Sequence, residues 1–162
     1  MQNRNKLIAF CFLAISLFSC TENRTYEGNI DLDNSSWMVD HSLDFEFEIK
    51  QPEKYYDLFF NIRYDADYPY RNIYIYYDLT DSTETSIQKE LVNFPLFTDK
   101  LGEPLGETSS NIISLQTSLA DSVKFPFAGK YSIRMAQYMR TDSLTGVYSA
   151  GIKVMEAQSD AE

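Results

Sequence analysis

Apolar and polar residues alternate one by one along several segments of this chain, and this pattern constrains the fold more than any other feature. In residues 43–49, Leu, Phe, Phe and Ile alternate with Asp, Glu and Glu. A period of two places the apolar side chains on one face of a β-strand and the acidic ones on the other, as in an antiparallel sheet with one wet face. Residues 55–64, 73–79 and 131–135 repeat the pattern, so we expect strands there.

The other segments extend this prediction. Residues 87–97 and 150–155 read as further strands, whereas residues 112–123 fit both an alternating strand and a helical stripe. We favour a strand for residues 112–123. Seven or eight short strands with Gly, Pro, Asn and Asp turns between them predict an all-β fold, an antiparallel β-sandwich of about seven to eight strands.

The N-terminal segment has the pattern of a secretory signal peptide. Arg4 and Lys6 precede an apolar run over residues 7–18, which as a helix would span only about 18 Å. A bilayer core of roughly 30 Å needs a longer segment. The run ends in Leu-Phe-Ser-Cys, which resembles the lipobox of bacterial lipoproteins. We therefore expect cleavage after residue 19, with diacylglycerol on the Cys20 thiol and an acyl chain such as palmitate on its new amino group.

These signals divide the chain into four parts. We expect a signal peptide at 1–19, a lipidated N-terminus and polar tether at 20–36, a β-sandwich domain at 37–156 and a polar tail at 157–162. The other cysteine of the chain, Cys11, falls in the signal peptide. The mature domain would therefore contain no disulfide, and its stability would come from its core.

Charge and motif content exclude several classes of function. The chain has 24 acidic and 14 basic residues, a net charge of −10, which argues against nucleic acid as a partner. The same charge predicts that the lipid alone attaches the protein to a membrane. A single histidine, His41, rules out a His-rich metal site. No nucleophile elbow, phosphate-binding loop or dinucleotide motif is present, so we expect no catalytic residues, no metal and no cofactor.

Three segments in order resemble the gliding motility-associated lipoprotein GldH family of Bacteroidetes. Residues 67–75 match its Asp-Tyr-Pro-Tyr motif before an aromatic strand, and residues 124–131 match its Phe-Pro…Gly-x-Tyr turn. Residues 137–147, followed by 151–154, are similar to its C-terminal motif, Gln-x-Met-Arg…Leu-x-Gly…Gly. Residues 80–123 carry no matching motif. The resemblance implies a cell-envelope lipoprotein associated with the gliding apparatus and its linked secretion system, and it supplies no catalytic residues.

We expect a non-catalytic scaffold or assembly factor, anchored in the cell envelope at the outer membrane rather than the inner one. In this hypothesis it binds envelope proteins of the gliding or secretion machinery through the aromatic face of residues 55–77. The alternative is a carbohydrate-binding surface lipoprotein whose exposed aromatic rings stack on sugars. A third hypothesis, an enzyme, would need a pair of acidic residues in a cleft. The ordinary interpretation assigns the same tyrosines to the strands and the core alone. The candidate partner-binding residues are Tyr68, Tyr70, Tyr74, Tyr76, Gln137 and Arg140.

Overall fold

A computed structural model describes residues 23–98 and 102–158 of the chain. The predicted signal peptide and the lipidation site Cys20 lie outside the described residues, as do residues 159–162 of the predicted tail. A short 3₁₀ turn at Asp33–Ser35 follows the first strand. The strands are β1 (Arg24–Asp31), β2 (Ser36–Met38), β3 (Leu43–Ile49), β4 (Tyr55–Asp65), β5 (Asn72–Asp81), β6 (Ser86–Pro95), β7 (Glu107–Ser109), β8 (Ile112–Lys124), β9 (Gly129–Gln137), β10 (Ser143–Thr145) and β11 (Val147–Glu156).

The strands form two main antiparallel sheets and a small ribbon. The five-stranded sheet has the order β1-β11-β4-β8-β7, and the four-stranded sheet has the order β3-β9-β5-β6. Strands β2 and β10 form the ribbon. The predicted all-β, sandwich-like fold is confirmed, and the ambiguous segment 112–123 belongs to a strand, as favoured.

The sheets pack face to face because each strand turns its apolar residues inward. In β3 and β4 every second residue is buried, which is the alternation seen in the sequence. Phe60 of β4 stacks on Phe94 of β6 with ring centroids 4.9 Å apart, so aromatic rings from opposite sheets meet in the core. The ribbon adds Trp37, which is fully buried and donates a hydrogen bond from Nε1 to the His41 carbonyl at 2.8 Å.

The strands of both sheets run between two ends of the sandwich, which we call the near end and the far end. The near end contains the start of β1 at Arg24, two of the crossovers between the sheets, from Ile49 to Tyr55 and from Lys124 to Gly129, and the β5–β6 turn after Asp81. It also contains the end of β11, because Met155 pairs with Arg24. The far end contains the end of β1, the start of β5 and the segments 66–71 and 138–142. A ten-residue strand such as β5 separates the two ends by about 30 Å.

The structure departs from the predicted tether at residues 20–36. Arg24–Asp31 form an edge strand that pairs with β11 from Met155 to Ser149. Tyr26 packs on Phe47 of the opposite sheet with ring centroids 5.9 Å apart. The segment looks like a linker in the sequence because none of its residues is fully buried and its four half-buried ones include Thr25 and Gly28. Its pairing with β11 makes it a strand. The ordered sandwich therefore begins 13 residues before the predicted start at 37.

Candidate functional site

A cluster of exposed aromatic side chains lies at the far end, on the outer face of the four-stranded sheet. Large apolar side chains are normally buried, so a group of exposed ones marks a candidate interaction site. A groove of about 530 Å³ runs between them. We call this cluster the aromatic surface, and its members are Tyr70, Tyr74, Tyr76, Leu91, Tyr138, Met139 and Arg140.

Strand geometry places the centre of this surface. Tyr74 and Tyr76 occupy alternate outward positions of β5 and are 39% and 38% exposed, while Ile73, Ile75 and Tyr77 on the same strand are buried. Leu91 of β6 is the cross-strand partner of Tyr76, so the two side chains share the outer face. The two tyrosines and Leu91 are presented by paired strands, which hold their backbone rigidly.

The residues after β9 are held against β5 by a set of hydrogen bonds. The Tyr138 amide donates to the Tyr74 carbonyl at 2.8 Å. The side chain of Gln137 accepts from the Met139 amide at 2.7 Å and donates to the Thr141 carbonyl at 3.0 Å. Gln137 is only 1% exposed, so it positions the segment rather than presenting itself to a partner. As a result Tyr138, 61% exposed, lies beside Tyr76 with ring centroids 6.4 Å apart.

The Tyr68-Pro69-Tyr70 segment divides its two tyrosines between core and surface. Tyr68 is 6% exposed, packs edge-on against Tyr64 at 6.0 Å and donates to the Asn72 carbonyl at 3.2 Å. Burial, and to a lesser extent the neighbouring Tyr70, raises the pKa of the Tyr68 phenol far above its usual value. Tyr70 is 40% exposed and lines the groove. Tyr68 therefore supports the turn from inside, and Tyr70 faces solvent.

Arg140 gives the groove its charged group. Its side chain is exposed and, among the residues that the structure describes, it forms no ion pair. A guanidinium next to aromatic rings can bind a carboxylate through paired hydrogen bonds or stack on a ring. The groove thus combines an apolar, aromatic lining with one cation.

The predicted aromatic face of residues 55–77 does not exist as one surface. Strands β4 and β5 follow each other in sequence but belong to opposite sheets. Tyr55 and Phe59 therefore lie on the outer face of the five-stranded sheet, and Tyr74 and Tyr76 lie on the other side of the molecule. Of the predicted site residues, Tyr70, Tyr74, Tyr76 and Arg140 come together, whereas Tyr68 and Gln137 support them from the interior.

Sequence reasoning missed Leu91, Tyr138 and Met139 as members of this surface. Tyr138 and Met139 stand inside a quoted family motif, but nothing in the sequence indicates that β9 delivers them next to β5. Leu91 follows the two charged residues Lys89 and Glu90, and only the register with β5 shows that it lies opposite Tyr76. Strand pairing is the signal that would identify all three.

The polar cluster around Asp65 is structural. At the far end Asp65 accepts hydrogen bonds from the Asp67 amide at 2.9 Å, the Asn111 amide at 2.7 Å and the Tyr148 hydroxyl at 2.8 Å. The Asp67 amide, with help from Tyr148 and Asn111, holds the pKa of Asp65 below its usual range. These bonds tie the loop after β4 to β8 and β11.

Within residues 23–98 and 102–158, no group of three or more His, Cys, Asp or Glu side chains is placed to hold a metal ion. Over the same residues, no helix has both the length and the apolar character needed to cross a membrane.

Comparisons with known proteins identify relatives along nearly the whole chain. A gliding motility lipoprotein GldH homolog of Christiangramia forsetii is 25% identical over 166 residues, covering 98% of this chain and all of the relative. The gliding motility lipoprotein GldH of Flavobacterium johnsoniae is 25% identical over 149 residues, covering 87% of this chain and 90% of the relative.

Similarity to solved structures is much weaker. A chain in the structure of the infectious bursal disease virus Gx strain aligns with 84% of this chain and 30% of its own length. Its TM-score is 0.32 at 8% identity, which is too low to support an inference. The model of the family described as GldH lipoprotein, by contrast, matches residues 24–154, from the first residue of β1 almost to the end of β11. The chain belongs to the GldH lipoprotein family.

Proposed function

We propose that this protein is a lipid-anchored, non-catalytic assembly factor of the bacterial cell envelope, attached to the outer membrane through Cys20. Its partners are other envelope proteins of the gliding machinery or of the secretion system linked to it. The relatives' names supply the connection to gliding motility. The lipobox supplies the anchor, and the aromatic surface supplies the binding site.

The observation that carries this proposal is the exposure of the aromatic surface on a rigid scaffold. Four tyrosines, one leucine, one methionine and one arginine occupy a single patch, and their backbones are held by strand pairing and by the Gln137 hydrogen bonds. Tyrosine and arginine are over-represented among the residues that dominate binding energy at protein interfaces. Tyrosine also loses little conformational entropy on binding, since its ring moves about only two torsions.

Double substitution of Tyr74→Ala and Tyr76→Ala tests the proposal. The tagged protein is crosslinked in its own cells, purified from the membrane fraction, and its partners are identified by mass spectrometry. We expect the wild type to capture gliding or secretion components, and the double variant to lose about thirtyfold of that capture if the pair contributes 2 kcal/mol. Tyr55→Ala is the matched control, because Tyr55 is 51% exposed but lies on the other sheet at the near end.

The urea midpoint shows whether each variant folds. A double variant that keeps the wild-type midpoint and captures the same envelope components to the same extent would contradict the proposal. Equal loss in the Tyr55→Ala control would also contradict it, because the binding would then not reside at the far end.

Glycan binding is the second candidate, and the groove between Tyr70, Tyr74 and Tyr138 is the observation that favours it. Tyrosine rings beside an arginine suit the apolar faces and hydroxyl groups of a sugar. Pull-down on insoluble polysaccharides tests this function. Binding that disappears in the Tyr74→Ala, Tyr76→Ala variant supports it, and absence of binding across the polysaccharides excludes it.

A further inference from the structure

The chain between the lipidation site and the first strand is very short. β1 begins at Arg24, so only three residues separate it from Cys20. Four Cα–Cα steps reach at most about 14 Å even when the backbone is fully extended. The lipid on Cys20, which belongs to the proposed function, therefore holds the start of β1 within this distance of the membrane surface.

Topology determines which surface comes with the start of β1. The crossovers from Ile49 to Tyr55 and from Lys124 to Gly129 lie at the same end. The end of β11 lies there too, because the Asn23 carbonyl accepts a hydrogen bond from the Glu156 amide at 2.9 Å. Through the second crossover, Phe125 packs on Tyr56 at 5.4 Å and on Tyr131 at 4.6 Å, which joins the near ends of both sheets. The whole near end therefore lies close to the membrane.

The two near-end crossovers differ in charge from the acidic chain as a whole and from the β5–β6 turn beside them, which carries Asp81 and Glu84 and lies at the same end because Asp81 pairs with Tyr131. The segments 50–54 and 124–130 contain four lysines and one glutamate, so four positive charges less one negative charge leave +3. The chain as a whole carries −10. Of these lysines, Lys54 pairs with Glu156 at 2.6 Å, and Lys124 lies over the Tyr55 ring at 5.1 Å. Lysines close to a bilayer are attracted to lipid phosphates.

Two exposed aromatic rings accompany these lysines. Tyr55 is 51% exposed and Phe127 is 40% exposed, each within one of the two crossovers. Aromatic side chains beside lysines are typical of the headgroup layer, where the ring enters the apolar boundary and the ammonium group stays among the phosphates.

We infer that the near end of the sandwich rests on the phospholipid headgroups of the membrane that holds Cys20, with Tyr55 and Phe127 at the contact. The lipid anchors the protein, and this contact orients it. The aromatic surface, on the outer face of the four-stranded sheet, then faces sideways, with Tyr76 about 17 Å and Tyr74 about 23 Å from the near end of β5. A partner protein bound to the aromatic surface would therefore contact this protein above the headgroup layer.

Site-directed spin labelling tests the orientation, because the predicted mature chain has no free thiol and a single introduced cysteine labels selectively. The full lipidated protein is reconstituted in vesicles of phosphatidylethanolamine and phosphatidylglycerol. One sample carries the label at Ala128→Cys in the near-end crossover, and another carries it at Val39→Cys, which is 44% exposed at the far end. Collision of each label with oxygen and with a water-soluble nickel chelate reports its depth.

We expect the label at residue 128 to lie in the headgroup layer and the label at residue 39 to be fully in water. Tyr55→Ser combined with Phe127→Ser should return the label at residue 128 to water while the protein stays on the vesicles. The matched pair Tyr70→Ser and Tyr138→Ser, at the far end, should leave the depth of that label unchanged.

Equal water accessibility of the two labels on the vesicles would overturn the inference, as would a depth at residue 128 that is insensitive to the Tyr55 and Phe127 substitutions. Flotation of the vesicles separates this failure from failure of the proposed anchor, because an unlipidated protein would not float at all. Partner capture is measured independently on the aromatic surface, so either result leaves that test intact.

Discussion

The two ends of the sandwich are held together in different ways. At the near end, rings from both sheets and a crossover pack around Phe125, which contacts Phe47 at 5.9 Å as well as Tyr56 and Tyr131. At the far end, long connections between strands are tied down by polar bonds. The single O–H of Tyr64, for example, is shared between the Leu96 and Leu105 carbonyls.

This difference in internal bonding corresponds to a difference in the side chains that the two ends expose. The near end has short crossovers with lysines, and its interior is closed by aromatic packing together with hydroxyl bonds from Tyr56 and Tyr131 to the crossover carbonyls. The far end carries the aromatic surface on loops and on the ends of strands, where a binding site needs variable side chains on a fixed frame. Polar bonds such as those of Gln137 and Asp65 provide that frame.

The largest predicted effect concerns the near-end core. Phe125→Ala should lower the free energy of unfolding by about 3–5 kcal/mol, because it removes a ring that is 1% exposed and leaves a cavity between the sheets. Phe127→Ala, two residues along and 40% exposed, should cost under about 1 kcal/mol. Urea denaturation measures both. Similar costs for the two variants would show that Phe125 does not join the sheets.

The second prediction compares the loss of one tyrosine hydroxyl at the far end with the loss of one at the near end. Burial raises the pKa of Tyr64 to about 12, and its hydroxyl holds the connection between β6 and β7. Tyr64→Phe should cost about 1–3 kcal/mol, since the buried Leu96 carbonyl and the part-buried Leu105 carbonyl lose the O–H donor that they share. Hydrogen exchange should rise at the Leu105 amide, which donates to Leu96.

Tyr56→Phe is the control, because its hydroxyl donates to the Gln51 carbonyl at the near end at 3.1 Å. It should leave exchange at Leu105 at the wild-type rate. If Tyr64→Phe and Tyr56→Phe accelerate exchange at Leu105 equally, the hydroxyl of Tyr64 is not what holds the far-end connection.

The smallest predicted effect is a loss of stability at low pH, which arises from Asp65 at the far end. The folded pKa of Asp65 is below its unfolded value, so its stabilisation is fully present above about pH 4 and is lost as the pH falls through the folded pKa. Because the group is close to solvent, the loss should be only about 0.5 kcal/mol. Tyr148→Phe should reduce it, while Tyr138→Phe should not. Urea midpoints of the wild type and the two variants are measured from pH 6 down to pH 3, a range of about three units. The same dependence of the midpoint on pH in all three proteins would refute this role of Asp65.

The strands in which apolar and polar residues alternate strictly are predictable from local sequence. In residues 43–49 and 55–64 the apolar period is two and the burial in the structure follows it position by position. Such segments have one way to bury their apolar side, since a shift by one residue would expose the whole set. β1 was not predictable in this way, because its half-buried residues gain their partner only when β11 returns to pair with them.

The aromatic surface shows where local sequence stops being informative. Tyr74 and Tyr76 were correctly placed on an outward face by their alternation, but Tyr55 and Phe59 were wrongly grouped with them. The crossover between β4 and β5 sends the two strands into different sheets, and no local pattern records this. Gln137 and Tyr68 also looked like surface residues, although the structure buries both.

The sequence by itself determined the all-β class, most strand positions and, through its motifs, the family. These follow from interactions between residues that are close along the chain, whose period sets which side is apolar. Only the tertiary structure decided which outward residues become neighbours, because strand order and register bring together positions as distant as Tyr74 and Tyr138. It likewise placed the lysines of two separate crossovers at the end where the chain leaves toward Cys20.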